Sequence, residues 1–391
     1  MPALSYLTEQ LDQFRAAGTY QRLRVLGSAS AAESRFDGKE VINLASNNYL
    51  GLCTHPKLIE ASVAAAKKYG AGSGAVRTIS GTMTLHLQLE ERIAQFKNVE
   101  ACVVFQSGFT ANAGTVSAIL TPEDHVISDA LNHASIIDGC RLSRAKIHVF
   151  PHKDHAAAEQ KLAELDDVPG RKLLISDGVF SMDGDIGPLP ELAAAAQKHG
   201  AIMMVDDAHS SGVLGRNGRG TVDHFGLHGR VDIQVGTLSK AIGVLGGYVC
   251  GTRDFIEYLY HRARPFLFST SHPPAVAAAC LAAFDILEQE PERIDNLWKN
   301  RQYWKEALDR EGFDTGLSET PIVPVLVGEA DRAYRFSQAL FDEGVLATGI
   351  GFPTVPKGKA RVRTIVTATH TREELDRALE AFRKARKTLE T

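Results

Sequence analysis

Polar residues suited to catalysis directly follow three apolar runs of the sequence. The run AIMMV leads into Asp206, with His209 close behind, VDIQVG leads towards Lys240, and KLLIS leads into Asp177. In an open parallel sheet, the ligand site lies at the carboxyl ends of the strands. If the runs are neighbouring strands, we expect carboxylates, an imidazole and a lysine amine to meet at one edge of a sheet.

Lys240 and Asp206 have residue types that a carbonyl cofactor requires. A free lysine amine has a pKa of about 10.4 and is a poor nucleophile at neutral pH. Joined as an imine to a carbonyl cofactor, it can form and release a covalent bond and move a proton. Asp206 suits a protonated heterocyclic nitrogen such as that of pyridoxal phosphate. The alternatives are a surface lysine and a carboxylate that caps the next helix. We interpret the neighbouring Asp207 as structural.

The segment QSGFTANAG is a candidate anion site, because it follows the apolar run VVF and is predicted to begin a helix. The first N–H groups of a helix and its dipole favour a phosphate. Many helices begin in this way, so the segment alone is weak evidence. The segment GAGSGAVRTISGT lacks the nucleotide P-loop pattern. We expect it to pack closely against another backbone segment.

Four further residues have two interpretations each. His133, past the run HVIS, suits stacking on an aromatic ring or capping a helix. Arg363, in RVRTIV, suits a forked contact to a substrate carboxylate or a surface ion pair. His152 and His155 have the spacing of a metal pair, but no third ligand is evident. We expect these two histidines to be solvated and predict no metal site.

The order of the apolar runs predicts an α/β fold. The predicted strands are VVF, HVIS, KIHVF, KLLIS, AIMMVDD, VDIQVG and GGYVCG. Helical stretches lie between them, which favours a mostly parallel, helix-covered sheet whose strands are buried on both faces. We expect an N-terminal helix and strand segment over 1–45, a large domain over 46–279 and a small α+β domain over 280–391. The first helix, near residues 4–17, has spacing that could pack on a partner.

Composition argues against several classes of protein. The chain has 391 residues, 43 Lys+Arg against 47 Asp+Glu, and a net charge of −4, which gives no general attraction to nucleic acid or to an anionic membrane. Its five cysteines are odd in number and widely spaced, so no disulfide framework is indicated. No apolar stretch reaches about 18 residues. We expect a cytoplasmic protein with no membrane span.

The motifs together resemble the α-oxoamine synthase family of fold-type I pyridoxal-phosphate enzymes. They are SNNYLGL, GAGSGAVRTISGT, NHASIIDG, DGVFSMDGD, VDDAHSSGVLG, GTLSKAIG, RPFLFSTS and RVRTIVTATHT, in order across nearly the whole chain. The resemblance implies a large domain with a mostly parallel seven-stranded sheet covered by helices, and a smaller α+β C-terminal domain. It also implies pyridoxal 5′-phosphate as the cofactor.

The resemblance also implies roles for particular residues. Lys240 would form the covalent bond to the cofactor, Asp206 would pair with the pyridinium nitrogen, and His133 would stack on the ring. Contacts to the phenolic oxygen and the phosphate would come from Ser181, His209, Gly108, Phe109 and Thr237, with Ser269 and Thr270 reaching in from a second subunit. The active site would thus be shared in a homodimer. The lysine, His133, Asp206 and His209 are the expected catalytic residues.

The resemblance also implies which residues contact the substrates. Asn47 and Arg363 would bind the amino-acid carboxylate. Arg22, with Arg24 beside it, would meet an acyl carboxylate or a CoA phosphate, although a solvated basic turn is the alternative interpretation.

The expected reaction condenses an amino acid with an acyl-CoA. Within the family the chain most resembles glycine C-acetyltransferases, which NHASIIDG and SMDGDIGPLP favour. This resemblance implies glycine and acetyl-CoA as substrates, 2-amino-3-oxobutyrate as product and a place in threonine catabolism. The first alternative is 8-amino-7-oxononanoate synthase, which joins L-alanine to pimeloyl-CoA with loss of CO2 for biotin synthesis. Dual specificity is a second alternative. A pyridoxal-phosphate aminotransferase, which needs no CoA, and a non-enzymatic scaffold are alternatives of other classes.

Overall fold

Strands and helices alternate along the middle of the chain, as the sequence predicts. The computed structural model describes residues 3–389. Its strands are β1 Glu33–Phe36, β2 Lys39–Asn43, β3 Ala101–Phe105, β4 His125–Asp129, β5 Lys146–Phe150, β6 Lys172–Asp177, β7 Ile202–Asp206, β8 Ile233–Thr237, β9 Gly247–Gly251, β10 Ile322–Gly328, β11 Val345–Leu346, β12 Thr348–Ile350 and β13 Ala360–Ile365.

The helices include long amphipathic segments and short connecting turns. They are α1 Tyr6–Ala16, α2 Pro56–Tyr69, α3 Thr84–Lys97, α4 Gly108–Ile119, α5 Ala134–Ser143, α6 His155–Ala163, α7 Leu189–Lys198, α8 Thr221–His224, α9 Arg253–Arg262, α10 Arg264–Leu267, α11 Pro274–Gln289, α12 Glu292–Arg310, α13 Ala330–Asp342 and α14 Arg372–Ala385. No helix within residues 3–389 has both the length and the apolar character needed to cross a membrane.

The chain divides into two units. The larger unit comprises Asn48–Ser181 and Asp185–Asp295. The smaller unit comprises Met1–Asn47, Met182–Gly184 and Asn296–Thr391. The domain boundaries expected after residues 45 and 279 stay a prediction.

The larger unit contains a seven-stranded sheet in the order β3-β9-β8-β7-β6-β4-β5. Strands β5, β4, β6, β7 and β8 pair in parallel, and β9 is antiparallel to both of its neighbours. The prediction of a mostly parallel seven-stranded sheet is therefore confirmed, and all seven predicted strands form. For β5 the expected burial on both faces is wrong. It is one of the two edge strands, and Ile147 and Val149 are 42% and 54% exposed.

Apolar side chains pack on both faces of this sheet. On one face, Val116 of α4, Ile136 of α5 and Ile256 of α9 pack with residues of the sheet. On the other, Leu162 of α6 and Leu192 of α7 do the same. Burial of this kind stabilises the fold by roughly 25 cal/mol per Å² of apolar area. The strand ends are thereby held in a fixed register.

The parallel register brings the predicted polar residues to one edge of the sheet. Asp177 at the end of β6 lies opposite Asp206 at the end of β7. Asp206 in turn lies opposite Val235, two residues before the end of β8 at Thr237. This edge is where an open parallel sheet binds its ligands.

The smaller unit contains two three-stranded sheets. One is antiparallel in the order β10-β13-β12, and the other has the order β1-β2-β11 with β2 and β11 parallel. Trp304 and Phe336 both pack edge-to-face on Phe382, with ring centroids 5.4 and 5.5 Å away. The Trp304 indole N–H donates to Thr364 Oγ1 at 2.9 Å, so its buried donor is satisfied. The predicted first helix forms as α1, which buries none of its residues.

Candidate active site

Asp206 is a buried carboxylate with two hydrogen-bond donors. Its Oδ2 accepts from Asn112 Nδ2 at 2.6 Å, and its Oδ1 accepts from the backbone N–H of Ala208 at 2.8 Å. Hydrogen bonds to a carboxylate are stronger than those between neutral groups. The carboxylate is therefore fixed at the edge of the sheet.

Asp207 has a different environment, because consecutive side chains of an extended strand point to opposite faces. It forms an ion pair with Lys97, with 2.7 Å between Oδ2 and Nζ, and both side chains are completely buried. Lys97 Nζ also donates to the Arg219 carbonyl at 2.6 Å, and Thr221 Oγ1 donates to the carboxylate. The ion pair agrees with the structural interpretation of Asp207. The sequence did not reveal Lys97, which lies 110 residues away from its partner.

Lys240 lies half-buried in a short, tightly closed loop. The loop is closed by the Leu238 N–H bonding to the Gly246 carbonyl at 2.8 Å and by the Gly243 N–H bonding to the Lys240 carbonyl at 2.9 Å. Gly243 has a φ of +75°, and a Cβ there would come within 2.8 Å of the Cys53 nitrogen. Only glycine suits this position. The backbone that carries Lys240 is therefore held in one tight conformation, and the catalytic role of the lysine stays a prediction.

Helix α4 begins beside the end of β8. Ser107 caps it, with its Oγ accepting from the Thr110 N–H at 3.1 Å. A Cβ on Gly108 would lie 3.5 Å from Thr237 Cβ, and a Cβ on Gly247 would meet the Gly108 nitrogen at 2.5 Å. The Thr237 hydroxyl donates to the Gly246 carbonyl. The first turn of α4, where Phe109 is exposed, therefore has the features of an anion site.

His133 caps helix α5 and also lies within electrostatic reach of Asp206 and Lys240. Its backbone N–H donates to Asp177 Oδ2 at 2.7 Å, and its Nδ1 accepts from the Ser135 N–H at 3.2 Å. Partial desolvation lowers the pKa of the imidazole, a positive charge on Lys240 lowers it further, and Asp206 opposes them. Capping therefore does not exclude the stacking role, which stays a prediction.

Asp177 is a second buried carboxyl group at this edge. Burial raises its pKa well above the usual range, and the charge of the neighbouring Asp206 raises it further. Its backbone N–H donates to Asn132 Oδ1 at 2.8 Å. The result is a pair of carboxyl groups with different environments, one of which holds the backbone of His133.

His209 and Ser181 lie in the larger unit, shortly after the ends of the paired strands β7 and β6. The His209 ring is buried, and its Nδ1 lies 2.8 Å from the hydroxyl of the buried Tyr49, a partner that the sequence did not reveal. Ser181 is half-buried and directly follows the buried Phe180. Their predicted contacts to the cofactor's phenolic oxygen stay predictions.

Ser269 and Thr270 belong to a segment that pairs with the glycine-rich stretch of the same chain. Thr270 forms an isolated antiparallel β-bridge with Val76, and the Thr270 carbonyl accepts a hydrogen bond from Gln106 Nε2 at 2.8 Å. A Cβ on Gly81 would come within 2.1 Å of the Ala75 oxygen, so the glycine-rich stretch folds closely on itself. Its contact with another backbone segment includes the Ser271 N–H, which donates to the Ala75 carbonyl at 3.1 Å. The predicted contribution of Ser269 and Thr270 to a second subunit stays a prediction.

The three predicted substrate-binding residues belong to the smaller unit. Asn47 Oδ1 is buried and has no hydrogen-bond partner among the described residues. Arg363 is half-buried on β13, opposite Thr348 of β12. The side chain of Arg22 is 79% exposed and lies 4.0 Å from Asp37. Their roles stay predictions.

The expectation that His152 is solvated is wrong. Its two ring nitrogens lie 3.0 Å from the buried carboxylates of Asp129 and Asp185, and its ring packs edge-to-face on Phe180 at 4.4 Å. Two carboxylates on one imidazole favour the doubly protonated ring. His155 is exposed at the start of α6, as expected. Among residues 3–389, no cluster of His, Cys, Asp or Glu is arranged to hold a metal ion.

The residues at this edge fit pyridoxal phosphate. The amine of Lys240, carried by a closed loop, matches its aldehyde, and the fixed carboxylate of Asp206 matches its ring nitrogen. The close approach at Gly247 holds the first turn of α4 against β9, where exposed N–H groups suit a phosphate.

Comparisons with known proteins agree with this fit. Residues 39–382 match the model of the aminotransferase class I and II family. The chain is 61% identical to the 8-amino-7-oxononanoate synthase of Symbiobacterium thermophilum over 389 residues, which are 100% of this chain and 99% of that protein. Seven other bacterial relatives, 54 to 58% identical over 97 to 100% of the chain, have the same name.

Two solved structures extend the comparison. The serine palmitoyltransferase of S. paucimobilis with bound PLP-myriocin aldimine is 32% identical and covers 100% of both chains with a TM-score of 0.94. The 8-amino-7-oxononanoate synthase of Francisella tularensis is 31% identical and covers 89% of this chain and 98% of that chain with a TM-score of 0.74.

These relatives overturn the expected glycine C-acetyltransferase activity and its place in threonine catabolism. That expectation depended on NHASIIDG and SMDGDIGPLP. In the structure, His133 caps α5 and Asp185 pairs with His152, so the observed contacts of these two motifs are within the fold. The chain belongs to the aminotransferase class I and II family and, within it, to the pyridoxal-phosphate-dependent α-oxoamine synthases, which are acyltransferases of fold type I.

Proposed function

We propose that this chain is an 8-amino-7-oxononanoate synthase. It joins L-alanine to pimeloyl-CoA and releases CoA and CO2, a reaction of biotin synthesis. The observation that carries the proposal is the common name of eight relatives that are 54 to 61% identical over 97 to 100% of the chain. Fold alone does not distinguish the substrates, since serine palmitoyltransferase has the same architecture.

The larger unit supplies the groups for proton transfer. Bound pyridoxal phosphate supplies an electron sink that makes the Cα proton of an amino acid removable. Lys240 accepts and returns that proton at Nζ, and its short loop keeps the amine in place. Asp206 presents a carboxylate to the ring nitrogen, and His133 lies against the ring. Support comes from the fixed Asp206 carboxylate and from the electrostatic coupling of His133 to Asp206 and Lys240.

The remaining cofactor contacts follow the same edge of the sheet. The phosphate binds at the first turn of α4, through Gly108 and Phe109, and at Thr237. Ser181 and His209 contact the phenolic oxygen. The support is the close packing of Gly108 on Thr237 and the buried, hydrogen-bonded ring of His209.

Substrate recognition belongs to Asn47, Arg363 and Arg22. Asn47 and Arg363 bind the carboxylate of alanine, for which a guanidinium fork is well suited. The buried, unpartnered Oδ1 of Asn47 supports a ligand contact there. Arg22 meets the far carboxylate of the pimeloyl chain or a CoA phosphate. Its side chain is exposed enough to do so.

The assembly that we propose is a cytoplasmic homodimer with shared active sites. Ser269 and Thr270 of one subunit contact the phosphate in the other. The absence of buried residues on α1 supports a partner surface.

Release of free CoA thiol tests the proposed function. The purified protein with added pyridoxal phosphate should release thiol from pimeloyl-CoA only when L-alanine is present, and Lys240→Ala should release none while keeping its circular dichroism spectrum. An aminotransferase would convert amino and keto acids without CoA. Thiol release that ignores alanine, or normal release by the Lys240 variant, would contradict the proposal.

A further inference from the structure

The side-chain amide of Asn112 contacts two other elements of the candidate active site. Asn112 is fully buried on α4, four residues beyond Gly108. Its Nδ2 donates to Asp206 Oδ2 at 2.6 Å and to Ser135 Oγ at 3.0 Å. Asp206 ends β7, and Ser135 lies in the first turn of α5. One amide group therefore connects three elements.

The direction of each hydrogen bond follows from the carboxylate. An ionised carboxylate only accepts, so the amide must present Nδ2 to Asp206. Its second N–H then donates to Ser135 Oγ, and the Ser135 hydroxyl proton is left for His133 Nδ1 at 2.7 Å. His133 Nδ1 also accepts the Ser135 backbone N–H. The series of hydrogen bonds from Asp206 through Asn112 and Ser135 thus requires an unprotonated Nδ1 on His133. In the neutral ring the proton is then on Nε2.

The other half of the Asn112 amide indicates why the residue is there. Its Oδ1 is buried and has no hydrogen-bond partner among the described residues. A buried unpaired carbonyl is unfavourable, and an apolar side chain would avoid it. An apolar side chain, however, cannot donate to Asp206. The unpaired oxygen is consistent with a residue retained for the two bonds that its nitrogen donates.

Helix α4 also carries the anion site. Gly108 at its first turn and Asn112 are four residues apart, about 6 Å along the helix axis. Because a helix is stiff over one turn, it sets the spacing between a group bound at its N-terminus and the carboxylate held by Asn112. Both ends of one ligand are thereby positioned by a single element.

We propose that Asn112 is a positioning residue for pyridoxal phosphate. It fixes the Asp206 carboxylate that meets the cofactor's ring nitrogen and, through Ser135, it fixes the ring of His133. The inference rests on the cofactor roles that the proposed function gives to Asp206 and His133, and it is independent of the acyl-CoA and the amino acid.

The test is the dissociation constant of pyridoxal phosphate, measured by titrating cofactor-depleted protein and following the cofactor's visible absorbance. Asn112→Ala loses the charge-assisted bond to Asp206 and should raise the constant about ten- to hundredfold. Asn112→Asp keeps the shape but sets a second carboxylate against Asp206, so it should raise the constant further than alanine does. If Asn112 only fills space, Asn112→Ala should raise the dissociation constant more than Asn112→Asp does. That result would overturn the proposal.

Two control variants and a folding check complete the test. Thr115→Val, on the same helix, removes a buried hydroxyl that has no partner among the described residues and should leave the constant unchanged. Ser135→Ala breaks only the link to His133 and should have a smaller effect than Asn112→Ala. If Asn112→Asp does not fold, a constant for Asn112→Ala within about twofold of wild type overturns the proposal.

The measurement also separates this inference from the proposed function. It uses neither alanine nor pimeloyl-CoA, so an unchanged constant in Asn112→Ala would leave the proposed substrates untouched. Conversely, wild-type protein that binds the cofactor but releases no thiol from pimeloyl-CoA would contradict the proposed function alone.

Discussion

The ion pair of Lys97 and Asp207 involves the residue that follows Asp206 in the sequence. Lys97→Met should lower the free energy of unfolding by about 3–5 kcal/mol, because it leaves a buried carboxylate without its counter-charge. Urea denaturation measures the change. Lys67→Met is the matched control, since Lys67 is exposed on α2. A loss below about 1 kcal/mol, or an equal loss in the control, would show that the pair is not needed.

His152 makes stability depend on pH. Burial alone would lower the pKa of its imidazole, but hydrogen bonds to Asp129 and Asp185 outweigh burial and raise the pKa to about 9. In an unfolded chain it is about 6.5. The stabilisation is therefore complete below about pH 6.5 and is lost as pH rises through about 9. This residue should account for a fall of roughly 3 kcal/mol in the free energy of unfolding over that range.

The variant His152→Gln should lack this part of the pH dependence, as measured by urea denaturation at several pH values. His155→Gln should retain it, because His155 is exposed at the start of α6 and lies in the same part of the chain. If the two variants have the same profile, the ion pairs of His152 contribute nothing to stability.

The contact between β9 and the first turn of α4 sets the position of the anion site that we propose. Gly247→Ala would put a methyl group 2.4 Å from the Ser107 carbonyl carbon and 2.5 Å from the Gly108 nitrogen. The helix must move, and we expect affinity for pyridoxal phosphate to fall about tenfold or more. Gly72→Ala is the control, since a Cβ there has no neighbour within 4 Å. Unchanged cofactor binding by Gly247→Ala would show that α4 is not positioned by this contact.

The sequence predicts the strands well because a buried parallel strand is a short apolar run. Each predicted run lies within one or two residues of a real strand, KIHVF included. Its exposure was missed because the run alone does not say which strand faces stay uncovered: β3 is also an edge strand, yet it is largely buried. Asn112 and Lys97 were missed for a related reason. Asn112 lies within QSGFTANAG, but its partner is 94 residues away and only the folded sheet brings the two together.

The proposed dimer predicts complementation between two inactive variants. Lys240→Ala lacks the amine, and a Ser269→Ala, Thr270→Ala double variant lacks the contacts that we assign to the second subunit. In a mixed dimer, one site combines the Lys240→Ala subunit with the altered residues 269 and 270 of its partner and is inactive. The other site combines an intact Lys240 with an intact Ser269 and Thr270 and is active. Unfolding and refolding the two variants together should therefore restore about one quarter of wild-type activity, read as thiol release. If each subunit supplies its own Ser269 and Thr270, no activity returns.

At the scale of the whole molecule, the sequence motifs predicted the family and cofactor but not the substrates. Asp206 ends β7, His133 directly precedes α5 and Lys240 follows the end of β8 by three residues, and such positions can be found from apolar runs and helix caps. Acyl-chain preference depends on the shape of a cavity, which a short motif does not describe. The expected glycine enzyme was wrong for this reason, and the relatives along the whole chain corrected it.

A competition in one vessel tests the central claim most directly. The purified protein, with added pyridoxal phosphate, receives L-alanine, glycine, pimeloyl-CoA and acetyl-CoA at equal concentrations, and mass spectrometry identifies the products. We predict 8-amino-7-oxononanoate as the main product, with one CO2 released for each CoA. A predominance of 2-amino-3-oxobutyrate, or of its decarboxylation product aminoacetone, would contradict the account.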